Sequence, residues 1–145
     1  MKIYIGSDHA GFALKENLLS LLKSLGYDVI DKGAKFFDKN DDYPLFIKEV
    51  SKSVSSDSES VGIVIGKSGT GEAMCANKTS GVRASLWYGG SLEIIRLSRE
   101  HNDSNILSLG ADFITYEEAT EAVLLWLKTP FSGDERHIKR IKMLE

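Results

Sequence analysis

The chain has 145 residues, the size of one domain with a buried core, and its hydrophobic fraction of 42% and charged fraction of 27% are ordinary for a globular protein. A net charge of -3 argues against a nucleic-acid-binding protein, which usually carries a basic excess, and no stretch of about 18 apolar residues is present to cross a membrane. The single cysteine, Cys75, excludes an internal disulfide and a zinc site built on paired cysteines.

The first residues of the chain predict a β-strand and lack the pattern of an export signal, a basic segment followed by an apolar one. A lone cysteine is also typical of proteins in a reducing compartment. We therefore expect a cytoplasmic protein that binds neither membranes nor nucleic acids.

Short apolar segments rich in Ile and Val alternate along the chain with longer helical patterns. In chain order we predict strand 2–5, helix 11–25, strand 28–31, helix 45–55, strand 61–65, helix 72–78, strand 82–87, helix 91–99, strand 106–109, helix 116–127 and helix 135–144. This alternation predicts a parallel sheet with helices on both faces. The expected fold is α/β, a three-layer α/β/α sandwich around a five-stranded parallel Rossmann-like sheet, in a single domain spanning residues 1–145.

An open parallel sheet binds ligands just outside the carboxyl ends of its strands, and the most informative loop there is 66–72. It reads Gly-Lys-Ser-Gly-Thr-Gly-Glu between a strand and a helix, so its main-chain amides can cradle an anion. The nucleotide-triphosphatase motif is excluded because it requires a glycine where this chain has Val61, and the dinucleotide-binding motif lacks its third glycine. A tight turn with glycines for steric reasons alone is the alternative.

Glu72 lies in the first turn of the predicted helix, where the helix dipole stabilises a carboxylate. In a sugar-sized pocket such a group can remove a proton from the carbon next to a carbonyl, whereas on an open surface it only starts the helix. Burial would raise its pKa and the helix dipole would lower it, and the sequence leaves this balance open.

Two histidines lie at element ends beside polar residues. The pair Asp8-His9 follows the first strand, and His101-Asn102 follows the helix that ends near residue 99. Both pairs suit acid/base chemistry, although a single histidine is more often structural.

Further candidates have an equally plain structural alternative. Arg136 and Arg140 share one helix face and can grip a phosphate, or they belong to a solvated basic tail. Tyr43 can donate a hydrogen bond to a ligand or simply pack. Cys75 has no evident base beside it, and we interpret it as a core residue.

Seven motifs, in order along nearly the whole chain, resemble the type B ribose-5-phosphate isomerase family, which includes galactose-6-phosphate isomerase subunits. They are Gly6-Ser7-Asp8-His9-Ala10-Gly11-Phe12, Asp42-Tyr43-Pro44, Ser68-Gly69-x-Gly71, Ala76-Asn77-Lys78, Gly81-Val82-Arg83-Ala84, Glu100-His101-Asn102-Asp103 and Arg136-His137-x-x-Arg140. The resemblance implies an intramolecular oxidoreductase of the pentose phosphate pathway. It would interconvert D-ribose 5-phosphate and D-ribulose 5-phosphate through an enediolate, without a metal or an organic cofactor.

The resemblance also implies residue roles. Most of the family has a catalytic cysteine where this chain has Gly66, but the chain resembles the branch in which a glutamate is the base, and this assigns the role to Glu72. The remaining implied roles are oxyanion contacts by Ser68 and the loop amides of Lys67, Gly69, Thr70 and Gly71, ring opening by His101 with Asp8, a substrate contact by Asn102, and phosphate contacts by His9, Arg136 and Arg140. Tyr43 remains a candidate substrate contact on its own residue type, with packing as the alternative.

The family's site is shared between subunits, so the resemblance implies a homodimer. We expect the C-terminal helix, about residues 133–144, to pack on the partner subunit. Whether such dimers pair further stays open.

Two departures from the family pattern affect the expected site. Asp112 stands where the family usually has an arginine that assists phosphate binding, so either phosphate affinity falls or another group such as Lys67 substitutes. The loop 88–91 is also longer than usual and can change the sugar preference.

Two other functions compete with the ribose 5-phosphate reaction. The first is isomerisation of a hexose 6-phosphate, either allose or galactose 6-phosphate, by the same chemistry. The second is a non-catalytic sugar-phosphate sensor that kept the fold.

Overall fold

Strands and helices alternate in the computed structural model, which describes residues 1–144. In chain order they are β1 Lys2–Ser7, α1 Phe12–Ser24, β2 Asp28–Asp31, α2 Pro44–Ser55, β3 Ser60–Gly66, α3 Thr70–Ala76, β4 Ala84–Trp87, α4 Glu93–Glu100, β5 Ile106–Gly110, α5 Tyr116–Lys128 and α6 Glu135–Lys142. Glu145, the last residue of the predicted domain, lies outside the described residues.

The five strands form one sheet in the order β2-β1-β3-β5-β4, and every neighbouring pair is parallel. The predicted Rossmann-like parallel sheet is therefore confirmed. β3 lies at its centre, and all seven of its residues are buried. This explains why the strand is apolar from Val61 to Gly66, because a central strand between two helix layers has no face on water.

Helices pack on both faces of the sheet. On one face α1, α4 and α5 cover strand residues such as Ile5 and Ile63. On the other face α2 and α3 cover the intervening residues, such as Tyr4 and Val64. Successive side chains of a strand point to opposite faces, so each strand contributes to both cores. The predicted three-layer α/β/α sandwich is confirmed.

Several predicted boundaries were wrong by one to two residues. α3 begins at Thr70, before Glu72, because Gly69 with φ of 76° forms its N-cap. β4 begins at Ala84, and the apolar Val82 before it is buried in a turn instead of a strand. The side chain of Asn77 hydrogen-bonds both the amide and the carbonyl of Ala84, and this contact marks the start of the strand. α4 begins at 93 and α6 ends at 142.

The last helix differs from the others in its packing. Among the described residues, α6 contributes no side chain to either core, and His137 is its one buried residue. The helix is nevertheless well started, because the Asp134 side chain accepts a hydrogen bond from the amide of Arg136. Across residues 1–144 we find no helix with the length and apolar character that a membrane crossing requires.

Candidate active site

The carboxyl ends of three central strands meet at one edge of the sheet and bring their loops together. In the parallel register Ser7 of β1 lies beside Ile65 of β3, and Gly66 lies beside Gly110 of β5. Asp8 and the 66–72 loop are therefore neighbours in space. This edge is the one at which open parallel sheets bind ligands.

Glu72 is the buried carboxylate at this edge, with 4% of its surface exposed. It lies in the first turn of α3 and folds back over the end of β3. A Cβ atom built on Gly66 would lie only 1.9 Å from Oε1 of Glu72 and 2.0 Å from its Cδ. The carboxyl group thus occupies the space that a side chain at position 66 would need.

The surroundings of Glu72 favour its protonated form. Burial raises the pKa of the carboxyl group, and the negative charge of Asp8 raises it further, while the residue's own main-chain amide lowers it. The sequence left open whether burial or the start of the helix has the larger effect on this pKa, and in the folded chain burial has the larger effect. A general base works best when its pKa lies near the operating pH, and the raised pKa brings Glu72 closer to that condition.

The glycine loop between β3 and α3 leads directly into the first turn of α3, with Gly69 as its N-cap. Ser68 accepts a hydrogen bond from the amide of Thr70 through its hydroxyl at 3.3 Å. Side chains are excluded at Gly69 by its positive φ and at Gly71 by the Tyr43 ring, which would lie 2.8 Å from an added Cβ atom. Tyr43 therefore lies directly on the loop.

Asp8 closes the same edge from β1. One carboxylate oxygen accepts hydrogen bonds from the amides of Ala10 and Gly11 at 3.0 and 3.3 Å. The residue is 7% exposed, so its negative charge acts on Glu72 with little screening by water.

His9 is held by an acid that was not predicted from the sequence. Asp41 Oδ1 accepts a hydrogen bond from the main-chain amide of His9 at 3.0 Å and lies 2.7 Å from its Nδ1. The Asp41 contact, more than any other, raises the pKa of His9. Ligand atoms of Asp8, His9 and Asp41 lie within 4.8 Å of one another, as a metal site would need, but these hydrogen bonds already account for their closeness.

His101 and Asn102 lie at the opposite edge of the sheet, where the strands begin. They follow α4 and precede β5, whereas Glu72 follows the carboxyl end of β3. The ring of His101 stacks on His137 of α6 with centroids 4.2 Å apart, which brings the C-terminal helix to this same edge. His137 was not among the predicted site residues, although it lies directly beside Arg136. Burial lowers the pKa of His137, and so do His101 and Arg136.

Within one chain, the predicted site residues therefore form two separate groups. The first, beside Glu72, contains Asp8, His9, Tyr43, Lys67, Ser68, Gly69, Thr70 and Gly71. The second, beside His101, contains Asn102, Arg136 and Arg140. A cavity of about 690 Å³ next to the edge strand β4 is lined by Asn102, Ser85 and Lys78.

Cys75 takes no part in either group. It packs, partly buried, against the core that α2 and α3 form with the sheet, and burial raises the pKa of its thiol. This environment agrees with a packing role, because the reactive form of cysteine is the thiolate.

A family model described as Ribose/Galactose Isomerase matches residues 3–144 of this chain. The chain belongs to this family. It is 41% identical over 144 residues to ribose-5-phosphate isomerase B of Mycolicibacterium paratuberculosis, which covers 99% of this chain and 89% of the relative. The relative from Escherichia coli is 35% identical over 143 residues, covering 99% of this chain and 93% of its own.

Solved structures of ribose-5-phosphate isomerase B have the same fold as this chain. The crystal structure from Mycoplasma genitalium with bound ribulose-5-phosphate has a TM-score of 0.94 at 39% identity, covering 99% of this chain and 93% of that one. The structure from Clostridium thermocellum has a TM-score of 0.92 at 42% identity, covering 99% and 95%.

The structure shows the surroundings of Asp112, which departs from the family pattern. Asp112, at the position of the expected arginine, lies with its Oδ2 3.8 Å from Nζ of Lys67, and both side chains are at least half exposed. The amide of Asp112 also donates to the carbonyl of Lys67 at 3.1 Å. A lysine thus stands beside the place where the arginine was expected, on the rim of the glycine loop.

Proposed function

We propose that this protein interconverts D-ribose 5-phosphate and D-ribulose 5-phosphate with Glu72 as the base. The observation that carries the proposal is the buried Glu72 carboxyl over Gly66, next to a loop of main-chain amides. The names of the relatives and the ribulose-5-phosphate in one of their structures support the same substrate. We infer a cytoplasmic enzyme that needs neither a metal nor an organic cofactor.

The proposed reaction moves one proton between two carbons. In the ring-opened aldose, Glu72 takes the proton from C2, and the electrons pass to the carbonyl oxygen on C1 to form an enediolate. Glu72 then returns the proton to C1 while the hydroxyl proton on O2 moves to O1, which leaves the carbonyl at C2. The Ser68 hydroxyl and the amides of the 67–71 loop stabilise the oxyanion as it develops.

The other roles that we propose follow the two groups of residues. His101 with Asp8 assists opening of the furanose ring, and Asn102 and Tyr43 hydrogen-bond the open sugar. His9, Arg136 and Arg140 bind the phosphate, and Lys67 supplies a positive charge where Asp112 replaces the expected arginine.

We further propose that the active site forms between two subunits. The Glu72 and His101 groups lie at opposite edges of one sheet, so a second chain with two-fold symmetry can join the first group of one subunit to the second group of the other. The parallel sheet ends at β4, a strand with one free edge beside the 690 Å³ cavity. In this arrangement the C-terminal helix packs on the partner, and further pairing gives a dimer of dimers.

Mixed dimers test the shared site. We expect refolded mixtures of Glu72→Gln and His101→Ala chains to recover about one quarter of wild-type activity, because half of the dimers are mixed and each has one intact site of two. The measurement is isomerase activity before and after joint refolding. Each variant refolded alone is the control, and a mixture that stays as inactive as its parents would place both residues in one chain's site.

The choice of sugar is tested by turnover of chelator-treated protein on ribose 5-phosphate, allose 6-phosphate and galactose 6-phosphate. We expect the largest kcat/KM for ribose 5-phosphate. A larger value for either hexose phosphate would reassign the substrate. A shift in melting temperature with all three ligands but no turnover would identify a sensor instead.

A further inference from the structure

The imidazole of His9 is fixed by two hydrogen bonds to one carboxylate oxygen. Asp41 Oδ1 contacts both the main-chain amide and the Nδ1 atom of His9. The other ring nitrogen, Nε2, has no hydrogen-bond partner among residues 1–144, and a third of the side chain is exposed. The ring is therefore oriented with Nε2 available to a ligand.

Asp41 itself has little contact with water. Its side chain is 8% exposed, and its second oxygen, Oδ2, is buried without a hydrogen-bond partner in the described part of the chain. A buried carboxylate is costly unless a positive charge lies beside it. His9 is the ion-pair partner that the structure provides for Asp41, and it meets this need only when its ring carries a proton on both nitrogens.

The charged groups that face His9 are all acidic. Asp8, at the end of β1, lies 3.8 Å from Nδ1, and Asp38 and Asp41 approach from the loop between β2 and α2. The remaining ring neighbour is Phe37, which contacts the imidazole edge-on. All three carboxylates raise the pKa of His9, which only burial lowers.

The loop that carries Asp41 is anchored close to β1. The amide of Ser7 donates to the carbonyl of Gly33, and the amide of Ala34 donates to the carbonyl of Ser7. Lys15, fully buried in α1, donates to the carbonyl of Ala34 at 2.7 Å and to Asp31 at 2.9 Å. These contacts fix the start of the loop beside β1, and Asp41 further along the loop is joined to His9 by its own hydrogen bonds.

We propose that Asp41 is a positioning residue that keeps His9 doubly protonated, so that its Nε2–H donates to the phosphate of the substrate. The inference rests on the proposed function only in identifying this anion as the phosphate of a sugar. A phosphate monoester loses its second proton near pH 6, so an imidazolium that persists above that pH meets a dianion. Asp41 therefore widens the pH range over which phosphate binding is strong.

The sign of the effect follows from the proton on His9. Loss of the Asp41 charge lowers the pKa of His9, so the ring becomes neutral at a lower pH and phosphate binding weakens sooner as the pH rises. An opposite charge at hydrogen-bond distance typically moves a pKa by about one unit or more. Asp41→Asn keeps the shape of the side chain and one acceptor oxygen. The hydrogen bond from the main-chain amide of His9 therefore survives, while the negative charge is lost.

The first experiment follows the His9 ring by NMR as a function of pH in the full-length protein without substrate. We expect the wild-type midpoint to lie above the 6.5 of an ordinary imidazole and the Asp41→Asn midpoint to lie below that of the wild type. Asp38→Asn is the matched control. Asp38 affects His9 only through its negative charge and makes no hydrogen bond to the ring, so we expect a much smaller shift of the midpoint. A wild-type midpoint at or below 6.5 overturns the proposal without any variant.

The second experiment measures the dissociation constant of inorganic phosphate and the KM of ribose 5-phosphate between pH 6 and 9. In Asp41→Asn we expect both constants to rise about tenfold near pH 7.5, with kcat changed less than twofold, and to approach wild-type values near pH 6. Equal pH profiles in wild type and variant would overturn the proposal. If the wild type binds phosphate as described but does not turn over the sugar, the proposed function fails and the role of Asp41 stands.

Discussion

The Glu72→Gln variant is expected to lose about 10³-fold in kcat for ribose 5-phosphate, within the usual contribution of a general base. The amide has the shape of the carboxyl group but cannot accept the C2 proton, so KM should change little. Steady-state kinetics with separate kcat and KM values provide the measurement. A kcat within tenfold of wild type would mean that another group removes the proton.

The matched control for this variant is Glu117→Gln. Glu117 also lies in the first turn of a helix, α5, but it is exposed. We expect Glu117→Gln to have wild-type activity. A loss of activity seen only in Glu72→Gln would then be due to the buried position of Glu72, and not to the removal of a carboxylate from the first turn of a helix.

The raised pKa of Glu72 also predicts the pH dependence of stability. A carboxyl group whose pKa is higher in the folded state than in the unfolded state binds more protons when folded, so stability falls as the pH rises from the unfolded pKa through the folded one. Glu72→Gln should therefore have a higher melting temperature than wild type at neutral pH. The difference should shrink as the pH falls towards 4. A variant that melts below wild type at neutral pH would contradict this account.

Gly66→Ala is the second variant with a large expected effect. The added Cβ would lie 1.9 Å from Oε1 of Glu72, so the carboxyl group has to move. Displacement of a reacting group by about 1 Å can cost on the order of 10²-fold in rate, and we expect a fall of that size in kcat. Kinetics of the purified variant, with its melting temperature, provide the measurement.

Gly62→Ala in the same strand separates loss of stability from loss of the base. A Cβ at Gly62 would contact Val50, Ile106 and Val54 at 2.8 to 3.1 Å, far along the strand from the carboxyl group. We expect it to lower the melting temperature while the folded protein keeps a wild-type kcat. Wild-type kcat in Gly66→Ala would show that the carboxyl group does not need the space above Gly66.

Strand positions were predictable because burial on both faces leaves a simple pattern. β3 is apolar from Val61 to Gly66, as expected of a central strand between two helix layers. The start of β4 was not predictable in the same way. Val82 looks like a strand residue because it is apolar, but its burial comes from a turn in which its amide donates to the carbonyl of Thr79.

The candidate site was predictable where one short motif holds its members together. The spacing from Gly66 to Glu72 predicts a glycine loop followed by a first-turn carboxylate, and the structure has both. That Glu72 folds over Gly66 could not be predicted, because the contact depends on the φ of Gly69 and the packing of α3. The Asp41 contact with His9 joins residues 32 apart, and no spacing rule indicates it.

The direction of the shift in the Glu72 pKa could not be predicted from the sequence either. Burial and the main-chain amide act in opposite directions, and only the packing of the folded chain decides between them. The stacking of His101 on His137 depends similarly on where α6 lies after the connection 129–134 from α5.

The most direct test of the central proposal follows ribose 5-phosphate by NMR in D₂O with chelator-treated wild-type protein beside Glu72→Gln. We expect the wild type to form ribulose 5-phosphate with deuterium at C1, because the proton that Glu72 removes from C2 exchanges with solvent before it returns. The variant should produce neither the ketose nor the exchange at a comparable rate. Conversion or exchange by the variant at the wild-type rate would contradict Glu72 as the base.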